Sequence, residues 1–176
     1  MMGWADGMAG TVRPVAHLSA CGGRRLGQRR DGGVARRLPI LGSIDTERAR
    51  ELFGGERVAR LATTGADGAP HLVPVTFALD GDRVVIAVDD KPKRTRELRR
   101  LRNVRENPRV ALLADHYDDD WTRLWWARAD GLARVVTEWP TRGLRDRYEQ
   151  YRRVPPGGPY LVVEVERWTG WAYADG

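Results

Sequence analysis

The chain has 176 residues, enough for one domain with a sizeable core. Its net charge is +6, but residues 1–43 hold seven arginines against Asp6 and Asp31 and the rest is close to neutral, which argues against a folded domain built as a general nucleic-acid binder. Cys21 is the only cysteine, so an intrachain disulfide and a thiolate metal site are excluded, and no apolar run approaches the ~20 residues that span a bilayer.

Residues 1–43 are rich in Gly and Arg, show no sustained periodicity and lack the apolar stretch of a secretion signal. They read as a disordered basic tail, and 44–176 as the folded domain, with a cytoplasmic location expected. Ser43 to Glu47 opens a helix capped by Asp45 or Ser43, and Gly54-Gly55 ends it. Arg57–Thr64 alternates as a strand, Gly65 to Gly68 turns, and Ala69–Leu79 reads as a second strand. Asp80-Gly81-Asp82 is a hairpin turn into a third strand, Arg83–Val88, so the expected opening is a three-stranded meander.

Lys91–Arg109 follows, with nine cations and only two acids, Glu97 and Glu106. It reads as a helix with Thr95 as N-cap and Asn107-Pro108 as its end. Leu98, Leu101 and Val104 form one apolar stripe, and at about 100° per residue Arg96, Arg99, Arg100 and Asn103 point away from it. Lys91, Lys93, Arg94 and Thr95 gather at the expected helix N-terminus. Cations, a hydroxyl and unpaired N–H groups together suit a phosphate or carboxylate. The glycine-rich nucleotide cradles G-x-x-x-x-G-K-[ST] and G-x-G-x-x-G are absent.

Arg109–Ala114 is a short buried strand, and Asp115 to Asp120 an acidic loop. Trp121–Val136 is a long strand interrupted at Asp130-Gly131. A helix from Thr137 or Glu138 to about Tyr151 follows. Tyr160–Glu166 and Trp168–Tyr173 are two closing strands. Six or seven antiparallel strands with two or three helices predict a mainly β fold, a small barrel with helices outside.

No catalytic constellation stands out. His17, His71 and His116 are isolated and read as structural, Asp118–Asp120 reads as a solvated loop, and no metal site or nucleophile motif is assigned. An anion site without an acid–base pair points to redox chemistry carried by a bound cofactor. Trp121, Trp125 and Trp126 have the shape to cover a flat ring, although core or interface packing is the expected role for at least two of them.

Three segments carry a family resemblance. V-A-R-L-A-T-T-G-A-D-G-A-P-H-L-V-P-V-T-F-A-L-D-G-D at 58–82 resembles the opening strands of the pyridoxamine 5′-phosphate oxidase-like split barrels. R-L-R-N-V-R-E-N-P-R-V-A-L-L at 100–113 resembles that family's K-x-R-N-L-x-x-x-P-R-V segment. The run from K-P-K-R-T to D-H-Y-D-D-D-W-x-x-L-W-W-x-R-A-D-G is similar to the actinobacterial subgroup that uses the deazaflavin coenzyme F420. The resemblance covers residues 44–174. It implies an FMN-binding-like split barrel, a homodimer with two cofactor sites at its interface, and an oxidoreductase passing a hydride to a small organic substrate. FMN is the alternative cofactor, and a non-enzymatic cofactor or nucleic-acid carrier the alternative role.

The ring is then expected against Val73, Pro74, Val75 and Thr76 on one strand and Ile86, Ala87 and Val88 on the next. Lys91, Lys93, Arg94 and Thr95 are expected to hold the phosphate, and Trp125 and its neighbours to come from the opposite subunit. This chain is longer than the family pattern between Pro92 and Asn107, so the family lysine falls on Arg100. Because Arg100 faces away from the stripe, Arg94 is the preferred ligand, with Arg100 and Asn103 secondary.

Overall fold

A computed structural model describes residues 42–88 and 98–173, which fall in one compact unit. The chain begins with helix α1 (Thr46–Gly55). Asp45 caps it, accepting from the Arg48 N–H at 2.7 Å, as its position before the first turn predicts. Strands β1 (Ala59–Thr64), β2 (Pro70–Val75), β3 (Ala78–Asp80) and β4 (Arg83–Ala87) follow. Helix α2 (Arg99–Glu106) leads into β5 (Arg109–His116), a 3-10 turn at Trp121–Arg123, and the long β6 (Trp125–Val136). Two short helices, α3 (Arg142–Arg147) and α4 (Glu149–Arg153), precede β7 (Tyr160–Ala172).

All seven strands form one antiparallel sheet in the order β2-β1-β5-β6-β7-β4-β3. The two outermost strands, β2 and β3, are consecutive in the chain and separated only by Thr76 and Phe77. Laid flat, seven strands would span about 29 Å at the usual spacing. Three Cα steps reach at most about 11 Å. The sheet therefore curls until its edges meet, and the barrel is closed by a strand that changes partners: β2 pairs only with β1, and β3 only with β4. This corrects the expected meander. Two hairpins, β1–β2 and β3–β4, stand where one continuous middle strand was predicted to pair with both neighbours.

Inward residues alternate along each strand. Leu61, Leu112, Ile86, Leu161 and Val163 are fully buried with Phe53 and Phe77. Phe53 plugs the barrel from α1, its ring 4.8 Å from Phe77 and 5.1 Å from Trp168. Strand β4 is buried on both faces, because its outward Val85 and Ala87 lie beneath Leu144, Tyr148 and Tyr151 of the α3–α4 arm. That explains its unbroken apolar run.

Three boundaries differ from expectation. The last predicted helix starts later and divides at Tyr148, whose backbone is extended (φ −124°, ψ 122°). The two closing strands are one, β7, since Arg167 continues the ladder opposite Asp130 and pairs with its carboxylate at 2.8 Å. The expected interruption at Asp130-Gly131 is absent: β6 runs through it unbroken, and only its register with β7 shifts there, with Glu166 of β7 as the extra residue.

Candidate functional site

The barrel opens where β2 becomes β3. Extending the β1–β2 register beyond Ala59 and Val75 would set Arg57 opposite Phe77. The two do not pair. The Tyr148 hydroxyl stands between them, accepting from the Phe77 N–H at 3.0 Å and lying 2.8 Å from the Phe77 carbonyl and 2.7 Å from the Arg57 carbonyl. Tyr148 is 2% exposed, and the guanidinium of Arg147 donates to the same hydroxyl at 3.2 Å. One residue earlier, Thr76 Oγ1 lies 3.1 Å from the hydroxyl of Tyr151. A side-chain wedge thus ends one ladder and starts the other.

Beyond this wedge the β3–β4 pairing ends at Ala78 and Val85. Carrying the Ala78–Val85 pairing back along the chain sets Thr76 opposite Ala87 and Val75 opposite Val88. The Val88 N–H is taken by Pro159 O at 3.0 Å, towards β7. By alternation the N–H and C=O of Ala87 turn the other way, into the split. On β2, Pro70 and Pro74 lie opposite Thr64 and Arg60. Lacking an N–H, they are tolerated only where that position faces away from the neighbouring strand. The open edge of β2 therefore presents carbonyls and the single donor Leu72 N–H.

The structure brings the expected ring residues together and assigns their side chains elsewhere. Val75, Ile86 and Val88 are buried to within 6% exposure and, with Val73, pack into the barrel core. Ala87 packs outward against Tyr148, Tyr151 and Tyr160. Pro74 is exposed and Thr76 half-buried. What these residues offer to a ligand is mainly backbone.

Helix α2 corrects two expectations. It starts at Arg99, after an extended Leu98 that makes no side-chain cap, so Thr95 is not its N-cap. Lys91, Lys93, Arg94 and Thr95 lie outside the described residues. Arg100 is half-buried and Asn103 only 2% exposed, so neither points away from the protein. The helix is fastened to the β1–β2 hairpin by polar groups. Asn103 Nδ2 donates to Thr63 Oγ1 at 3.0 Å, Asn107 Nδ2 to Thr64 Oγ1 at 2.9 Å, and the Ala66 N–H to Glu106 Oε2 at 3.0 Å. The predicted stripe is buried, with Leu101 and Val104 in the core and Leu98 packed against it, and these bonds widen the inward arc to include Asn103.

Beside this fastening, on the inward side of β2, sits His71, opposite Thr63. Its pKa is pushed below the ordinary histidine value, first by burial and then by the charges of Arg99 and Arg100. The sequence treated His71 as structural and passed over Tyr148 and Tyr151. The one available signal was the spacing Leu144, Tyr148, Tyr151, polar-tipped aromatics on one face of a charged segment.

Trp125 is half-buried against the core, with its ring stacked on His116 at 6.4 Å. Trp121 is 70% exposed. Trp126 points to the outer face of β2-β1-β5-β6, where it lines an open depression of about 650 Å³ with Ala62, Leu72, Ala111 and Leu113. Arg60 and Asp115 form an ion pair across that face at 2.5 Å. None of the described helices is long and apolar enough to cross a membrane.

Residues 45–172 match the model of the pyridoxamine 5′-phosphate oxidase family. The chain belongs to that family and has its split-barrel fold. Over 56 residues it is 45% identical to the 5a,11a-dehydrotetracycline/5a,11a-dehydrooxytetracycline reductase of Streptomyces rimosus, an alignment that covers 32% of this chain and 38% of the reductase. Among solved structures it is similar to a conserved hypothetical protein of Mycobacterium tuberculosis, with TM-score 0.60, 20% identity, and 78% of this chain and 90% of the other covered. A FAD-binding protein of Mesorhizobium loti gives TM-score 0.54 at 19% identity, covering 73% of this chain and 94% of the other.

Proposed function

We propose that the protein is an oxidoreductase that uses coenzyme F420 to reduce an unsaturated small organic molecule. The observation that carries this reading is the split itself. Carried past its last pair, the β3–β4 register sets Val75–Thr76 opposite Ala87–Val88, and in sequence the second stretch leads to Lys91, Lys93, Arg94 and Thr95. The edges supply peptide groups suited to the pyrimidine side of a flat ring. The cations suit the phosphate at its other end. The free Ala87 peptide and the donor-poor β2 edge fit such a ring better than another strand, because the prolines bar a continuous ladder.

When bound, the deazaflavin supplies the hydride; the protein binds, orients and excludes water, and solvent supplies the proton. The similarity to the tetracycline-type reductase of Streptomyces rimosus supports a reductase acting on a carbon–carbon double bond. FMN is the second reading, supported by the likeness of the fold to FAD-binding proteins. The partner is a second copy of the chain, seated on the outer face of β2-β1-β5-β6, which no described helix covers, and bringing its own aromatics to the opposite site. Nucleic acid is not part of this reading.

The test is a titration of the protein, with and without residues 1–43, against F420 and FMN, read by tryptophan quenching. Tail-independent binding of F420 in preference to FMN is expected. Preference for FMN moves the protein to the flavin branch, and binding of neither removes the redox reading. Lys93→Ala and Arg94→Ala each weaken binding by about 1–3 kcal/mol, the loss expected of a charge-assisted hydrogen bond. Unchanged affinity in both variants removes the phosphate assignment.

A further inference from the structure

We propose that Tyr148 and Tyr151 are positioning residues of the cofactor site, through which the α3–α4 arm sets the width of the split. The inference rests on the reading that a ring binds between Val75–Thr76 and Ala87–Val88. Neither tyrosine needs to touch the ring. Tyr148 acts through Phe77, whose N–H and C=O it engages, and through the Arg57 carbonyl it holds off. Tyr151 acts through the Thr76 hydroxyl.

Three further observations point to this role. The helical arm breaks at Tyr148 and nowhere else between Arg142 and Arg153, and the break carries the Tyr148 side chain into the gap between the ladders. The Tyr148 ring is held by two contacts, the Arg57 guanidinium at 5.0 Å and the Tyr151 ring packed edge-on at 5.6 Å. Behind the split the same tyrosines pack on Ala87, so both edges of the gap rest on one cluster. A phenol that satisfies two backbone groups at once holds a strand apart from its neighbour without leaving either group unpaired. Without the hydroxyl, the backbone groups of Phe77 and Arg57 have either to pair directly, which moves Thr76, or to lose this partner, which leaves the buried Phe77 groups unsatisfied.

The experiment compares Tyr148→Phe, Tyr151→Phe and Thr76→Val with Leu112→Val, a buried core change on β5, which pairs with neither β2 nor β4. For each, the dissociation constants for F420 and FMN are measured together with Tm and the shape of the bound cofactor's visible band. The expected result is a fivefold or greater loss of affinity and an altered band in Tyr148→Phe, with Leu112→Val losing comparable Tm but keeping its affinity. Tyr151→Phe loses affinity too, and adds nothing in the Thr76→Val background. If Tyr148→Phe binds as tightly as Leu112→Val at equal loss of Tm, the tyrosine is only structural and the proposal is overturned. Should Tyr148→Phe not fold, Tyr151→Phe with Thr76→Val decides it: unchanged affinity and band refute the role, and a coupled loss supports it. If the wild type binds neither cofactor, the functional reading has failed and takes the proposal with it.

Discussion

The amide of Asn103 donates to the hydroxyl of Thr63 at 3.0 Å, and both side chains are 2% exposed. Together with the Asn107–Thr64 bond it ties the cationic helix to the first strand of the barrel. Asn103→Ala leaves Thr63 buried without that partner and opens a small void. The expected cost is about 2–3 kcal/mol, combining an unsatisfied buried group with lost packing. Thr63→Val, made in the Asn103→Leu background, recovers much of it by removing both polar groups. Urea denaturation of the three proteins measures this. A loss below about 0.5 kcal/mol for Asn103→Ala would show that the bond does not hold the helix.

His71 responds to the same helix. Burial and the charges of Arg99 and Arg100 depress its pKa, so it is neutral at pH 7. The sign follows from proton binding. Below the unfolded value of about 6.5 the unfolded chain takes up a proton that the folded chain resists. The stability linked to neutral His71 is therefore present above that value and is lost as pH falls through it towards the folded pKa. NMR titration of the imidazole gives the folded pKa directly. Arg99→Ala raises it. A phosphate-bearing ligand held near Arg99 and Arg100 raises it as well, so binding takes up a proton between the two values. An imidazole pKa unmoved by Arg99→Ala would place the helix charge too far from His71 to matter.

What the sequence made legible, and what it did not, follows from the kind of signal each element carries. The Asp45 cap, the Gly54-Gly55 stop and the alternating strands are local, and they stand in the structure as read. The change of partner at Thr76-Phe77 is not local. Ala69–Leu79 alternates as one strand, and nothing in its pattern names which neighbour each half bonds. Helix α2 misled because periodicity scores apolar residues, whereas its inward arc contains a buried Asn satisfied by a Thr forty positions earlier. The arm broke at Tyr148 for the reverse reason. Leu144, Tyr148 and Tyr151 keep helical spacing, and tertiary hydrogen bonds to Phe77 and Arg57 override it. At the candidate site, the facing stretches on β2 and β4 were anticipated, while the tyrosines behind them were not.

Gly131 sits where the β6–β7 register shifts. A Cβ built there would lie 2.1 Å from the carbonyl oxygen of Glu164 and 3.0 Å from its carbon. The obstacle is backbone, so no side-chain rotation relieves it. Gly131→Ala must push β7 away from β6 at the bulge, and a cost of about 3 kcal/mol is expected, at the upper end for a small overpacking change. Gly68→Ala, at a turn where the added carbon meets nothing but φ is +69°, pays only backbone strain, about 1 kcal/mol. Thermal unfolding of the pair orders them. Equal Tm values would mean that the bulge relaxes freely.

The outer face of β2-β1-β5-β6 bears on assembly. Leu72 is 65% exposed on it, beside half-buried Ala62, Ala111, Leu113 and Trp126. The α3–α4 arm covers the opposite outer face, over β4. No described helix covers this one. An apolar sheet face of this kind marks an interaction surface, and a stable dimer needs roughly 800 Å² from each partner. The Arg60–Asp115 pair, at 2.5 Å within the same face, supplies polar groups that two copies related by a twofold axis can place in register. The wild type is expected to sediment at twice the 19.8 kDa chain mass. Leu72→Asp combined with Trp126→Ala shifts it towards the monomer. Because Leu72 is so exposed in the single chain, the charge costs the fold little, and Tm at high dilution changes by only a few degrees. Cofactor affinity falls with dimer dissociation if each site borrows aromatics from its neighbour. A wild type that sediments as a monomer, or a double variant that stays dimeric, would move the interface elsewhere.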